Sequence, residues 1–153
     1  MFAWLRSLIS AAAVIELHSS CIRVRDMSGG ATFEFEPILS IDSSQRVVSV
    51  GRPIPASAVK TYAPLENPSS LANELHIAKL ILAFAYSKLG SVAWLKPAPR
   101  IVLLIRGDST NGVHLMGDDA LAELSTSAGA RTTVIYRGRP LSDDEALMLL
   151  DAA

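Results

Sequence analysis

Cysteine is almost missing from this chain: Cys21 is the only one in 153 residues. A lone thiol excludes an intramolecular disulfide framework and fits a reducing, cytoplasmic compartment. His18, His76 and His114 are too scattered to make ligand-like spacings with one another or with Cys21, so no metal site is expected. Excess positive charge is absent too. The formal net charge is −1 at pH 7, and no basic field exists to drive nucleic-acid binding. Internal repeats and low-complexity tracts are lacking. No apolar run reaches the roughly 20 residues of a membrane-spanning helix. With half its residues hydrophobic and 19% charged, the chain has the composition of one globular domain with a real core, expected over 11–153.

The first ten residues, MFAWLRSLIS, stand apart. On a helical wheel at ~100° per residue, Phe2, Trp4, Leu5, Leu8 and Ile9 share about half the circle with Met1. Arg6, Ser7 and Ser10 fall on the other half. That pattern predicts a short amphipathic helix in a membrane interface, Trp4 at headgroup depth and Arg6 facing anionic lipid. The plain alternative is a helix docked on the chain's own core. The expected location is cytoplasmic, peripheral at the inner face of the membrane.

Residues 12–26, AAVIELHSSCIRVRD, organise the rest. They predict two strands, Ala13–Leu17 and Cys21–Asp26, joined by a polar turn at His18-Ser19-Ser20. Ile22 and Val24 alternate with Arg23 and Arg25, one buried face and one wetter. A third strand is expected over Ala31–Asp42, with Pro37 at a bulge, then a short strand at Val47–Val50. The proline-rich stretch 52–70 predicts a surface excursion with one helical turn at Ala56–Tyr62. Asn67 and Pro68 then open a single long helix whose stripe is Leu71, Leu75, Ala78, Leu82, Ala85 and Leu89.

The aliphatic run Arg100–Ile105 reads as a central parallel strand. A helix follows over 117–127, a strand over Thr132–Tyr136, and a last helix with a Ser142 to Glu145 capping box. With right-handed crossovers the order implies an α/β fold with a mixed five-stranded sheet, 3-2-1-4-5, and helices on both faces. This is the ribonuclease H-like architecture. Ligands bind such sheets at the switch point between the first and fourth strands. Two loops meet there. The candidate site residues are therefore Glu16, His18, Ser19, Ser20, Arg106, Asp108 and Ser109, with Tyr136 and Arg137 alongside.

Five segments in order carry a family resemblance: MFAWLRSLIS, VIELHSS, RVVSVGRPI, KPAPRIVLLI and SAGART. Together they resemble the N-terminal lobe of the MreB family of bacterial actins, over roughly residues 1 to 136. The resemblance implies an actin-like ATPase lobe, ATP and Mg²⁺ as cofactors if the phosphate loop still works, and filaments or a second copy as partners. The departures bear on that loop. Glu16 stands where the family has an Asp near metal and phosphates, and His18 stands where it has a Gly that lets backbone N–H groups approach. Ser19 replaces a Thr hydroxyl. Gly117 occupies the position of the Glu that orients the attacking water. An actin-like ATPase also closes two lobes on its nucleotide, and this chain offers residues for one.

The expectation is a degenerate lobe without catalytic residues, cofactor or metal. It would act as an interaction or scaffold module in cell-shape or cytoskeletal organisation near the membrane, with no nucleic-acid partner. A weak nucleotide-binding lobe is one alternative, and a truncated product of a longer homologue is another. A third is a two-metal nuclease that recruits Glu16, Glu74, Asp108 and Asp143 or Asp144.

Overall fold

In chain order the elements are β1 (Ala12–Leu17), β2 (Ile22–Asp26), β3 (Thr32–Phe35), β4 (Leu39–Ile41), β5 (Val47–Val50) and β6 (Lys60–Tyr62). There follow α1 (Pro68–Asn73), α2 (Leu75–Ser87), β7 (Arg100–Arg106), α3 (Asp118–Ser127), β8 (Thr132–Gly138) and α4 (Asp143–Asp151). The structure is a computed structural model and describes residues 11–18, 20–27, 30–66, 68–89, 98–106, 113 and 116–153. The amphipathic segment expected at 1–10 lies outside the described residues, as does the Asn67 cap.

The main sheet has the order β3-β2-β1-β7-β8, matching the 3-2-1-4-5 expectation. β1 pairs antiparallel with β2 and parallel with β7, so it joins the two halves of the sheet. Its six residues are all buried, and Ile101 to Ile105 of β7 are buried without a gap. Strands covered on both faces read as continuous aliphatic runs, which is why RIVLLI was legible.

Alternate residues send their side chains to opposite faces. On one face Ile15, Leu17, Ile22, Val24, Ile101, Leu103 and Ile105 meet Ile77, Ile81, Leu82 and Ala85 of α2 and Leu121 of α3. On the other, Ala12, Val14, Val102 and Leu104 meet Leu141 and, from α4, Ala146 and Leu150. Each fully buried Leu or Ile contributes ~1.5–3 kcal/mol relative to exposure.

One buried polar contact ties three elements on the first face. Tyr86 Oη of α2 lies 2.6 Å from Ser125 Oγ of α3, and Thr133 Oγ1 of β8 donates to the same Ser125 at 2.7 Å. Burial pushes the Tyr86 hydroxyl well above its usual pKa, and the Ser125 contact partly offsets the rise, so Tyr86 stays neutral.

The α4 face is secured differently. Arg25 Nη2 donates to Leu141 O at 2.6 Å and its Nε stands 2.8 Å from Asp143 Oδ1, at the start of α4. Arg100 Nη1 reaches Asp151 Oδ1 at 3.1 Å, at the other end. The expected capping box is present: Glu145 N donates to Ser142 Oγ at 3.2 Å and Ser142 N to Glu145 Oε2 at 2.9 Å. Arg139 grips the same Glu145 with two hydrogen bonds, at 2.7 and 3.0 Å.

Four expectations are corrected. The strand expected over 31–42 is two strands in different sheets. Pro37 offers no N–H, the chain turns at Ile38 N to Glu36 O (2.8 Å), and β4 leaves to join a smaller sheet ordered β5-β4-β6. The helical turn expected at 56–62 is the short strand β6, drawn beside β4 by Val59 N to Ile41 O at 2.8 Å. The long helix from Pro68 is broken at Glu74, whose backbone (φ −124°, ψ 34°) is not helical, leaving α1 and α2. Leu75, expected in the buried stripe, is 41% exposed as a result.

Candidate functional site

The β1–β2 turn is closed by His18 N donating to Cys21 O at 2.9 Å. That register puts Leu17 opposite Ile22 and Glu16 opposite Arg23. The same parity puts Glu34 of β3 opposite Arg23. Sheet geometry therefore lines up Glu34, Arg23 and Glu16 across three strands on the α4 face. Arg106, the last residue of β7, extends the row. It stands two positions beyond Leu104, the β7 partner of Glu16, on the same face.

The row is a continuous charge ladder. Arg23 Nε donates to Glu34 Oε1 at 2.6 Å, and Arg23 Nη1 donates to Glu16 Oε2 at 3.2 Å. Arg106 Nη1 lies 3.6 Å from Glu16 Oε1, a charge contact longer than a hydrogen bond. The Glu16 side chain is only 6% exposed, whereas those of Arg23 and Arg106 are 45% and 30% exposed. Oε1 is buried and has no hydrogen-bond partner among the described residues. A carboxylate this deep is tolerated because two guanidinium groups flank it.

Cys21 ends the turn of this hairpin, just before β2. It is half-buried rather than the small buried hydrophobe its strand position implies, with Sγ 3.9 Å from Glu34 Oε2. Burial raises the thiol pKa, and the Glu34 carboxylate raises it further, so Cys21 is a poor nucleophile.

Of the residues expected at the crevice, Glu16 and Arg106 meet. His18 is half-buried at the turn. Ser20 is exposed and borders Cys21 and the ladder's Glu34 along one groove. It also lines a groove of about 470 Å³ with Glu36, Pro37, Ile38, Ala63 and Glu66. Ser19, Asp108 and Ser109 fall outside the described residues. Arg137 of β8 points to the other face, where its Nε donates to Asp118 Oδ1 at 2.9 Å and its Nη2 to Met116 O at 2.6 Å. Asp118 is thus held as the first residue of α3, beside the Gly117 cap.

The carboxylates proposed for a two-metal nuclease are dispersed. Glu16 is on the α4 face, Glu74 occupies the residue before α2 on the opposite face, and Asp143 is paired with Arg25. Among the described residues, no group of three or more His, Cys, Asp or Glu is placed to hold a metal ion. No helix among them is long and apolar enough to cross a membrane.

The sequence alone reads Glu16 as a strand-end carboxylate that pairs with a neighbouring Arg, but it marks neither Arg23 nor Glu34 as a site residue. The signal for Arg23 was present: a four-residue turn from His18 to Cys21 forces Glu16 against Arg23 once the hairpin is accepted.

No protein-family model matches the chain, and no curated protein matches it. Solved structures do. MreB5 of Spiroplasma citri bound to AMPPNP superposes with a TM-score of 0.59 at 12% identity, over 84% of this chain and 38% of that one. The same protein bound to ADP gives 0.58 and 12%, over 84% and 38%. A non-polymerising mutant of MamK bound to AMPPNP gives 0.58 and 14%, over 84% and 41%. The chain therefore spans about two-fifths of the length of the structures it matches. At such identities the likeness shows the fold, and the fold is that of the actin-like ATPases.

Proposed function

We propose that this actin-like chain is a non-catalytic interaction or scaffold module in cell-shape or cytoskeletal organisation near a membrane surface. Its partners would be actin-like filaments or further copies of itself. The observation that carries the reading is the Glu16 carboxylate, buried and already compensated by Arg23 and Arg106.

The similar structures hold AMPPNP or ADP, so the residues here can be tested against a Mg²⁺-nucleotide. They do not fit one. A divalent cation beside Glu16 Oε1 would stand against the Arg106 guanidinium, where a doubly and a singly charged group about 4 Å apart repel by ~8 kcal/mol at an effective dielectric of about 20. The His18 N–H, a candidate donor to a phosphate, is spent on Cys21 O. His18 also carries an imidazole where the resemblance calls for a bare glycine. At the start of α3, Gly117 has no side chain to orient water, and Asp118 is engaged by Arg137.

Arg23, Arg25, Arg46, Arg52, Arg100, Arg106, Arg137 and Arg139 each sit within 3.6 Å of a carboxylate. Guanidinium groups paired in this way have their charge offset locally by carboxylates, which weakens their pull on nucleic-acid phosphates and supports a protein partner. The membrane element of the proposal rests on the sequence pattern of 1–10, with Phe2, Trp4, Leu5, Leu8 and Ile9 as the inserting side chains.

Calorimetry with ATP and Mg²⁺ is expected to show no binding below millimolar concentration, and micromolar affinity would overturn the non-catalytic reading. Removal of residues 1–10 is expected to release the protein from anionic liposomes. Undiminished association would remove the membrane element and leave the scaffold element standing.

A further inference from the structure

We infer that Arg106 is a resident counter-cation that keeps divalent metal ions out of the crevice at the end of β1. The inference rests on the non-catalytic reading and names the residue responsible for it. Arg23 is shared between two carboxylates, hydrogen-bonding Glu34 at 2.6 Å and Glu16 Oε2 at 3.2 Å. The second oxygen, Oε1, is buried, accepts no hydrogen bond among the described residues, and faces Arg106 Nη1 at 3.6 Å. Arg106 therefore supplies charge without taking up the lone pairs. A carboxylate oxygen in that state is a hard donor suited to a hard cation, and the Arg106 guanidinium already stands 3.6 Å from it. With Arg106 removed, the buried Oε1 would lose one of the two guanidinium groups that flank its carboxylate.

Mn²⁺ binding followed by electron paramagnetic resonance, on the full chain without nucleotide, tests this directly. The wild type is expected to bind no Mn²⁺ below millimolar concentration. Arg106→Ala is expected to bind at least tenfold more tightly, and adding Glu16→Gln to it should abolish the gain. Arg106→Lys keeps a cation in place and is expected to exclude Mn²⁺ as the wild type does. If Arg106→Ala does not fold, Arg106→Met, which keeps a long apolar stem, carries the same comparison.

The inference is overturned if the wild type binds Mn²⁺ as tightly as the variant. It is equally overturned if a folded Arg106→Ala or Arg106→Met protein gains nothing, or if the gain survives Glu16→Gln. The two readings separate cleanly: tight ATP binding by the wild type defeats the proposed function. A wild type inert to ATP whose Arg106 variants also ignore Mn²⁺ defeats this inference alone.

Discussion

On the face of the main sheet that carries α2 and α3, Ile15, Leu17, Leu103 and Ile105 pack against aliphatic helix residues, and the buried contact of Tyr86, Ser125 and Thr133 joins neutral hydroxyls. On the face that carries α4, a smaller apolar patch is framed by Arg25–Asp143, Arg100–Asp151 and the ladder of Glu34, Arg23, Glu16 and Arg106. The first face draws its stability from area removed from water, which is non-directional. The second relies on charge pairs, which set geometry more than they add free energy. The candidate site lies on the second face, where registration of side chains matters most.

Mutations can sharpen that contrast. The largest effect is expected from Leu103→Ala on the α2–α3 face, a loss of ~2–5 kcal/mol in urea unfolding with the slope unchanged. Ser125→Ala should follow at ~1–3 kcal/mol, since the Tyr86 and Thr133 hydroxyls would lose their shared partner. On the α4 face Arg25→Ala should cost ~1 kcal/mol and raise amide exchange in α4 alone. Equal loss of protection in α2 and α3 would break the comparison, because the faces would then open as one unit.

The smallest effect concerns acid. Arg139, and next the Ser142 backbone, hold the Glu145 carboxyl down to about 2 from its ordinary 4.5. A depressed carboxyl stabilises the folded state above its unfolded pKa and stops doing so as pH falls through the folded one. The contribution is therefore fully present above about pH 4.5 and lost by about pH 2. Glu145→Gln should flatten the acid dependence of α4 helicity in that window, read by circular dichroism; an unchanged slope would place the titrating group elsewhere.

Much of this architecture is legible in the chain. Arg100–Ile105 announces a strand covered on both faces, and Ser142 with Glu145 announces a helix start, because both signals are local. The smaller sheet is harder to read. Leu39–Ile41 and Lys60–Tyr62 are three residues each, too short for alternation to show, and their pairing depends on a turn at Pro37 that also suits a bulge. The break at Glu74 has no proline or glycine to mark it, and no side chain caps α2 there. At the site, Glu16 and Arg106 are identifiable as strand-end charges. That Arg106 crosses to Glu16 depends on parallel register between strands far apart in sequence, which no local pattern encodes.

That parallel register also governs how the molecule is made. β1 leaves the ribosome early with its antiparallel neighbours β2 and β3, while β7, which must lie along its other side, is still untranslated. Until then that edge of β1, with its unpaired N–H and C=O groups, is an open seam, ready to accept a strand from a neighbouring nascent chain. Prompt engagement by a holding chaperone, or slow production at low temperature, should therefore raise the yield of native protein more than any change to its surface charge.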